Sequence, residues 1–261
     1  MIERPYKVIT AAVDGSRAVL TMNNPSRKNA IGPRMMNELL WAFEDAHADD
    51  AVRSIVLTGA GDAFCAGGDF TEMAAGPGEE ELLRKGDFVD LLLAIVRSTK
   101  PVVARVNGVA MGGGIGLVAA CHFAIAADNA KFGTPEINVG LFPMMIMAVL
   151  ERVVPKRKLT EMMLLGERMT AHEAMVAGIV GHVVPAVELD HAVRALTDKI
   201  AAKSPLTIKL GLEAYRAQED MELAKALPML RDKLGECLAT DDAREGLMAF
   251  LEKRAPVWTG K

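Results

Sequence analysis

The sequence predicts an α/β fold, with a core of mostly parallel strands followed by a helical extension. In the first half of the chain, strand-like runs and helical patterns alternate about every 40–50 residues, and after Ser204-Pro205 the apolar spacing is helical throughout. This alternation favours parallel pairing, because parallel strands are joined by long crossover connections that usually contain a helix. The spacing by itself fits either a repeated superhelix or an ordinary doubly wound sheet.

The N-terminal part begins with a predicted hairpin of strands 8–13 and 18–22, joined through Asp14-Gly15-Ser16. Pro33 then stands where a helix can begin, since the first turn of a helix needs no N–H from that residue. A short strand at 54–58 ends at Gly59 and leads into a glycine-rich loop. The helix predicted after this loop carries apolar residues at Leu83, Leu91, Leu92, Ile95 and Val96.

Two further strands are predicted at 102–106 and 123–127, with Gly112-Gly113-Gly114 opening a helix between them. In the C-terminal half, Thr170 and Glu173 form the pattern of a capping box at the start of a short helix.

Gly178 ends that helix, one more short strand follows at 183–184, and after Ser204-Pro205 helices are predicted to residue 254. We therefore predict a core domain of residues 1–204 and a helical domain of residues 205–261.

The composition indicates a packed protein and argues against several classes of function. Hydrophobic residues make up 51% of the 261 residues and charged residues 25%, so a core forms easily. The net charge is -4 and no basic run exceeds Lys156-Arg157-Lys158, so nucleic acid is not expected as a partner. No apolar run reaches the ~18 residues of a membrane span. A membrane is therefore not expected as a partner. The histidines have no metal-binding spacing, so a metal site is not expected either.

The cysteines and the N-terminus suggest a compartment for the protein. Cys65, Cys121 and Cys237 are odd in number and far apart, which predicts no disulfide framework. The first residues show no basic stretch followed by an apolar core, so no signal peptide is expected. These features predict a cytoplasmic protein.

The first candidate for chemistry is the loop Phe64-Cys65-Ala66-Gly67-Gly68-Asp69. Its two glycines allow a sharp turn that brings a backbone N–H close to a ligand. Asp69 is a suitable cap for the helix that follows. By itself, the motif more often marks only a tight turn.

The second candidate is the glycine cluster at 112–114, between a strand and an apolar helix. The free N–H groups of a helix start favour an anion. The glycines from Gly108 to Gly116 do not match the dinucleotide pattern G-x-G-x-x-G, and no Gly-Lys-Ser/Thr of a P-loop is present. A helix start that holds an oxyanion and close packing of a helix on a strand both remain open.

The third candidate is Glu136, which follows Pro135. Its neighbours are apolar, and a carboxyl group in apolar surroundings keeps its proton to higher pH, which suits general acid/base chemistry. A glutamate considered alone is most often simply solvent-exposed. The nearby Met144, Met145 and Met147 predict an apolar wall that either belongs to the core or lines a pocket.

Together, in this order and spacing, these segments resemble the crotonase (enoyl-CoA hydratase/isomerase) superfamily. The resemblance extends over nearly the whole chain and includes residues 25–30, 170–178 and 249–254. It implies ββα superhelical turns with a C-terminal helical trimerisation domain, assembled as a homotrimer or as a hexamer of two trimers. It also implies an acyl-CoA thioester substrate and no other cofactor.

The resemblance further implies the site residues. The N–H groups of Gly68 and Gly113 would form an oxyanion hole for a thioester enolate, with Glu136 as general acid/base. The implied substrate-binding residues are Arg27, Lys28, Ala66, Asp69, Met144, Phe250 and Lys253. Among them, the three basic side chains would contact coenzyme A phosphates, and the backbone at Ala66 would lie against the adenine.

The sequence departs from the hydratase pattern at two positions. A typical hydratase holds its water between two glutamates, and Glu136 matches only the second. Gly116 stands at the position of the first glutamate, and Met144 stands where glycine is usual. A single carboxylate suffices to move a proton, so the sequence slightly favours double-bond isomerisation over hydration.

Two alternatives stay open at this point. Some family members hydrate with one glutamate, and Glu72, Asp69 or another residue of 71–81 is a candidate for the second acid. Alternatively, loss of the first glutamate is compatible with a non-catalytic acyl-CoA-binding protein of the same fold.

Overall fold

Strands and helices follow the predicted alternation in the computed structural model, which describes residues 4–75 and 82–261. In these ranges the strands are β1 (Ile9–Asp14), β2 (Arg17–Met22), β3 (Ser54–Gly59), β4 (Ala63–Cys65), β5 (Val102–Val106), β6 (Val109–Met111), β7 (Phe123–Ala127), β8 (Lys131–Gly133), β9 (Arg168–Thr170) and β10 (His182–Val184). The α-helices are α1 (Pro33–Ala48), α2 (Phe70–Ala75), α3 (Phe88–Val96), α4 (Gly113–Ala120), α5 (Met144–Leu150), α6 (Lys156–Leu165), α7 (Ala171–Val176), α8 (Leu189–Ala201), α9 (Pro205–Gln218), α10 (Leu223–Leu238) and α11 (Asp241–Glu252).

Two sheets divide the strands between them. The larger has the order β1-β2-β3-β5-β7-β10, and all its pairs are parallel except the β1–β2 hairpin. The smaller has the order β4-β6-β8-β9, with only β9 antiparallel. From β3 to β8, consecutive strands therefore alternate between the two sheets, and helices connect one pair of strands to the next. This is the ββα superhelix that the resemblance implies, and it decides against a doubly wound sheet.

The core lies between the sheets and their covering helices. Strand β3 is buried at all six positions, which is typical of a strand with parallel neighbours on both sides. Large side chains such as Leu57, Phe64 and Phe132 are fully buried and belong to one continuous cluster. This cluster supports the strand ends from which the glycine-rich turns emerge.

Local sequence signals account for most element ends. The predicted hairpin is confirmed, with Gly15 at φ 61° in its turn. Helix α1 begins at Pro33 as predicted, and the capping box of Thr170 and Glu173 is present at the start of α7. Gly178 has the left-handed φ of 84° just after α7, which only glycine adopts without strain.

Two predicted helix bounds are wrong. Helix α3 begins at Phe88 instead of including Leu83, because Asp87 and Asp90 form a capping box that starts the helix there. Leu83 lies before it and is 82% exposed. Helix α11 ends at Glu252 rather than continuing to residue 254, since Lys253 is left-handed.

The three C-terminal helices have little core of their own. The predicted boundary at residue 204 coincides with the cap of α9, where the Ser204 hydroxyl accepts a hydrogen bond from the Thr207 N–H. The division into two domains stays a prediction. Exposed apolar side chains on these helices are Tyr215, Leu223, Leu227, Leu234, Leu238, Leu247, Met248, Phe250 and Leu251. Among the described residues, no helix has the length and apolarity that crossing a membrane requires.

Candidate active site

The turn after β4 presents the N–H of Gly68. Gly67, at φ 108°, reverses the chain, and its carbonyl accepts a hydrogen bond of 2.7 Å from the Ile31 N–H. The Asp69 N–H donates in turn to the Ile31 carbonyl at 2.9 Å. The N–H of Gly68, between these two bonds, has no acceptor in the described parts of the chain. It is therefore available to a ligand.

A second N–H without an acceptor among residues 4–75 and 82–261 lies at the start of α4. Gly112 has φ 51° and ψ -122°, a conformation that side chains disfavour, and its N–H donates to the Gly133 carbonyl at 3.0 Å. The helix begins at the next residue, Gly113, whose N–H has no intrahelical acceptor because it belongs to the first turn. Gly113 and Gly68 line one cavity.

Glu136 lies on a short 3-10 helix, Pro135–Val139. The buried Thr134 anchors its start, since its Oγ1 donates to the Met162 carbonyl at 2.8 Å. Gly140 ends the 3-10 helix with a left-handed φ of 75°. The carboxylate of Glu136 reaches the second glycine turn, so a β carbon on Gly112 would lie only 2.9 Å from Oε1.

Burial controls the protonation of Glu136. Its Oε2 is buried and has no hydrogen-bond partner among the described residues. Burial raises the pKa of Glu136 above its ordinary value of 4.5, because the charged form loses hydration. The direction of this shift agrees with the prediction from the apolar neighbours of Glu136 in the sequence.

The cavity that Glu136 enters has a volume of about 300 Å³. It is lined by Ile31, Gly68, Phe70, Phe88, Gly113, Glu136, Leu141, Phe142, Pro143, Met144, Met145 and Ile146. Within the described ranges, Glu136 is the only ionisable side chain of this lining. Met144 and Met145 form part of the predicted apolar wall, whereas Met147 does not line the cavity.

Asp69 and Glu72 line a separate hollow together with Arg27. Asp69 Oδ1 accepts from the N–H groups of Thr71 and Glu72 at 3.1 and 3.0 Å, so it caps α2 as predicted. Its Oδ2 accepts from Arg27 Nη1. Burial opposes ionisation of Asp69, but these hydrogen bonds together hold its pKa below the ordinary value.

Neither predicted candidate for a second acid therefore lines the cavity of Glu136. Asp69 is held as an anion at the start of α2, and Glu72 lies against Gly32. Part of the 71–81 segment, residues 76–81, lies outside the described residues.

The remaining predicted binding residues fall into two groups. Lys28 and Ala66 are adjacent, since the Ala66 N–H donates to the Lys28 carbonyl at 2.9 Å, and the Lys28 side chain is exposed next to Arg27. Phe250 and Lys253 lie at the end of α11 and border neither the cavity nor the hollow. A single protomer thus does not bring them to the site.

Gly116 is closed off by a neighbouring helix. It is buried one turn into α4, and a β carbon there would lie 2.3 Å from Cγ2 of Ile146 on α5. The position of the first glutamate therefore has no room for a side chain. Sequence reasoning missed Ile146, Ile31, Phe70 and Phe88, because nothing in their local patterns links them to Glu136.

Comparisons with known proteins identify the family. The profile described as enoyl-CoA hydratase/isomerase matches residues 13–261. A protein named probable enoyl-CoA hydratase from Bacillus subtilis is 36% identical over 258 residues, which cover 97% of this chain and 99% of that protein. One named probable enoyl-CoA hydratase, mitochondrial, from Dictyostelium discoideum is 36% identical over 256 residues, covering 97% of this chain and 91% of its own.

The fold agrees with this assignment. The crystal structure of an enoyl-CoA hydratase from Mycobacterium smegmatis superposes with a TM-score of 0.90 at 35% identity, over 97% of this chain and 99% of that chain. The profile match, the two glycine turns and the half-buried Glu136 are consistent with one another along the chain. The protein therefore belongs to the enoyl-CoA hydratase/isomerase family of the crotonase superfamily and is an enzyme of that family.

Proposed function

We propose that this enzyme isomerises the double bond of an enoyl-CoA thioester, with Glu136 as its single general acid/base. The observation that carries the proposal is the lining of the 300 Å³ cavity. Among the described residues, this lining has one carboxylate, an apolar wall and two glycine turns whose N–H groups have no acceptor. Double-bond isomerisation needs no other functional group, because a single base can remove a proton from one carbon and return it to another.

The proposed reaction begins with the thioester oxygen at the N–H groups of Gly68 and Gly113. Ionised Glu136 takes a proton from C2 of a 3-enoyl thioester, and the electron pair of that C–H bond delocalises onto the thioester oxygen. The two N–H groups stabilise this dienolate, at about 3 kcal/mol for each well-aimed donor. Protonated Glu136 then returns the proton to C4, which leaves the double bond between C2 and C3.

The coenzyme A part would lie outside the cavity. Arg27, Lys28 and Lys253 are the proposed phosphate contacts, with the Ala66 backbone against the adenine and Phe250 beside it. Asp69 would act through Arg27, since their ion pair holds the guanidinium beside the turn of Gly68. Met144 would contact the acyl chain, because it lines the cavity and is 62% exposed.

The assembly and location are also part of the proposal. The exposed leucines of α10 and α11 favour a homotrimer or a hexamer, because a solvated protein rarely leaves such a face uncovered. A second copy would also supply Phe250 and Lys253 to the site. Free thiols at Cys65, Cys121 and Cys237 support a reducing compartment, for which we propose the cytoplasm.

Hydration of a 2-enoyl thioester is the second candidate, because the relatives are named as enoyl-CoA hydratases. It would use the same enolate and the same Glu136 but would require a bound water molecule. A non-catalytic acyl-CoA-binding role is disfavoured by the retained glutamate and both glycine turns.

Product analysis separates these functions. Purified enzyme and Glu136→Gln are incubated with 2-enoyl- and 3-enoyl-CoA thioesters of several chain lengths, and products are resolved by chromatography and mass spectrometry. We expect interconversion of the isomers without a gain of 18 Da, and loss of this activity in Glu136→Gln with retained coenzyme A affinity. Addition of water as the main reaction would instead establish hydration. Binding without any product would overturn both enzymatic proposals.

A further inference from the structure

The contact between α4 and α5 fills one side of the cavity. Gly116 follows Gly113 by three residues, so both lie on the same face of α4. Ile146 on α5 is only 3% exposed and borders the cavity. Its Cγ2 and Cβ would lie 2.3 and 2.9 Å from a β carbon on Gly116. A glycine on one helix is thus matched by a branched side chain on the other.

We infer that Ile146 is a specificity-determining residue that excludes water from the reaction by filling the space beside Gly116. This inference rests on the proposed function and extends it to the choice between isomerisation and water addition. Gly116 and Ile146 together would decide between isomerisation and hydration. Gly116 supplies no carboxylate, and the Ile146 side chain fills the space beside it.

Water would find few partners in this cavity. An ordered buried water typically makes about three hydrogen bonds. The described lining offers the Glu136 carboxylate and the N–H groups of Gly68 and Gly113, and the proposed thioester oxygen occupies both N–H groups. Glu136 would then be the only ionisable group of the described lining left to hold a water molecule, and the apolar Ile146 supplies no second hydrogen-bonding side chain. The dienolate therefore receives its proton from Glu136, and no held water molecule is in place to add to C3 of the 2-enoyl product.

The packing is tested by a double-mutant cycle on thermal unfolding. Gly116→Ala is expected to lower the melting temperature by several degrees, because the new methyl group overlaps Ile146. In the Ile146→Ala background, the same change should lower it by less than half as much, since the closest overlap is gone. Equal effects in both backgrounds would overturn the steric pairing, whatever the enzyme catalyses.

The chemistry is tested with Gly116→Glu, Ile146→Ala and the double variant, assayed in H₂¹⁸O with 2-enoyl- and 3-enoyl-CoA. We expect the ratio of ¹⁸O incorporation to isomerisation to rise at least tenfold in the folded double variant and to change little in Gly116→Glu. Val149→Ala, which removes apolar volume from the same helix outside the cavity lining, is the control and should keep the wild-type ratio.

The two levels of the proposal fail in different ways. If wild type isomerises 3-enoyl-CoA but the folded double variant gains no hydration, the role of Ile146 is wrong and the proposed function stands. If wild type hydrates as its main reaction, the proposed function is wrong and water is not excluded. If Gly116→Glu alone gains as much hydration as the double variant, Ile146 does not make the choice.

Discussion

Glu136 and Gly112 are in such close contact that any β carbon on the glycine would come within 2.9 Å of the glutamate Oε1. Gly112 also has φ 51° and ψ -122° and directly precedes the first residue of α4. One glycine therefore serves two purposes. It allows the turn that exposes the Gly113 N–H, and it leaves space for the carboxylate beside that N–H.

Gly112→Ala should lower kcat, whereas a glycine substitution at another turn should lower only Tm. The methyl group must displace the Glu136 carboxylate, and we expect at least a tenfold loss of kcat, together with a lower Tm from the strained φ. The matched control is Gly15→Ala, which also has a left-handed φ but lies in the β1–β2 turn. It should lower Tm and leave kcat unchanged. Equal losses of kcat in the two variants would contradict the contact.

The pH dependence of kcat/KM should report the raised pKa of Glu136. Proton abstraction requires the ionised carboxylate, so the rate falls as the pH falls through its pKa. Because burial raises that pKa, the midpoint of the acid limb should lie above the ordinary value of 4.5. A profile measured on a 3-enoyl-CoA substrate checks this. A midpoint at or below 4.5 would contradict a carboxylate whose pKa is raised by burial.

Glu136→Gln should stabilise the protein at neutral pH. The folded-state pKa of Glu136 is raised, so wild type is relatively most stable below the ordinary pKa of 4.5 and loses stability as the pH rises through the folded-state pKa. The neutral glutamine avoids that loss. The Tm difference between the variant and wild type should therefore be positive at pH 7 and shrink toward pH 4. A difference that grows on acidification would show the opposite shift.

Lys28→Ala should weaken binding of the nucleotide part of the substrate. We expect a several-fold higher KM for acyl-CoA with little change in kcat, and no change of KM for the matching N-acetylcysteamine thioester, which lacks phosphates. Lys156→Ala, an exposed lysine at the start of α6, is the control for lost surface charge. If the KM for both thioesters rises equally, Lys28 does not contact phosphate.

The exposed face of α11 should be an interface between copies of the chain. Leu251 is 72% exposed in one protomer, and Leu251→Glu should shift the molar mass measured by light scattering toward the monomer. Val187→Glu alters a still more exposed apolar residue, 90% exposed, outside the C-terminal helices and should leave the mass unchanged. An unchanged mass for Leu251→Glu would contradict this placement of the interface.

Local sequence signals determined most of the elements and the two glycine turns. Pro33, the capping box at Thr170 and the glycines near 67 and 112 act within a few residues, through φ restriction, side-chain caps and positive φ. Glu136 was a candidate because of its apolar neighbours in the sequence and because of the family resemblance. The predicted start of α3 was wrong because the prediction followed the apolar residue Leu83. In the structure, the capping box of Asp87 starts the helix.

Only the tertiary structure decided what surrounds Glu136. Ile31, Phe88 and Ile146 come from three distant segments of the chain. Because α4 packs against α5, the Ile146 side chain fills the space beside Gly116. It also directed Asp69 toward Arg27 and away from the cavity. Capping and turn formation depend on neighbours along the chain, whereas desolvation of a carboxylate depends on volume filled by residues far apart in sequence. The sequence could therefore determine the catalytic candidate but not its environment.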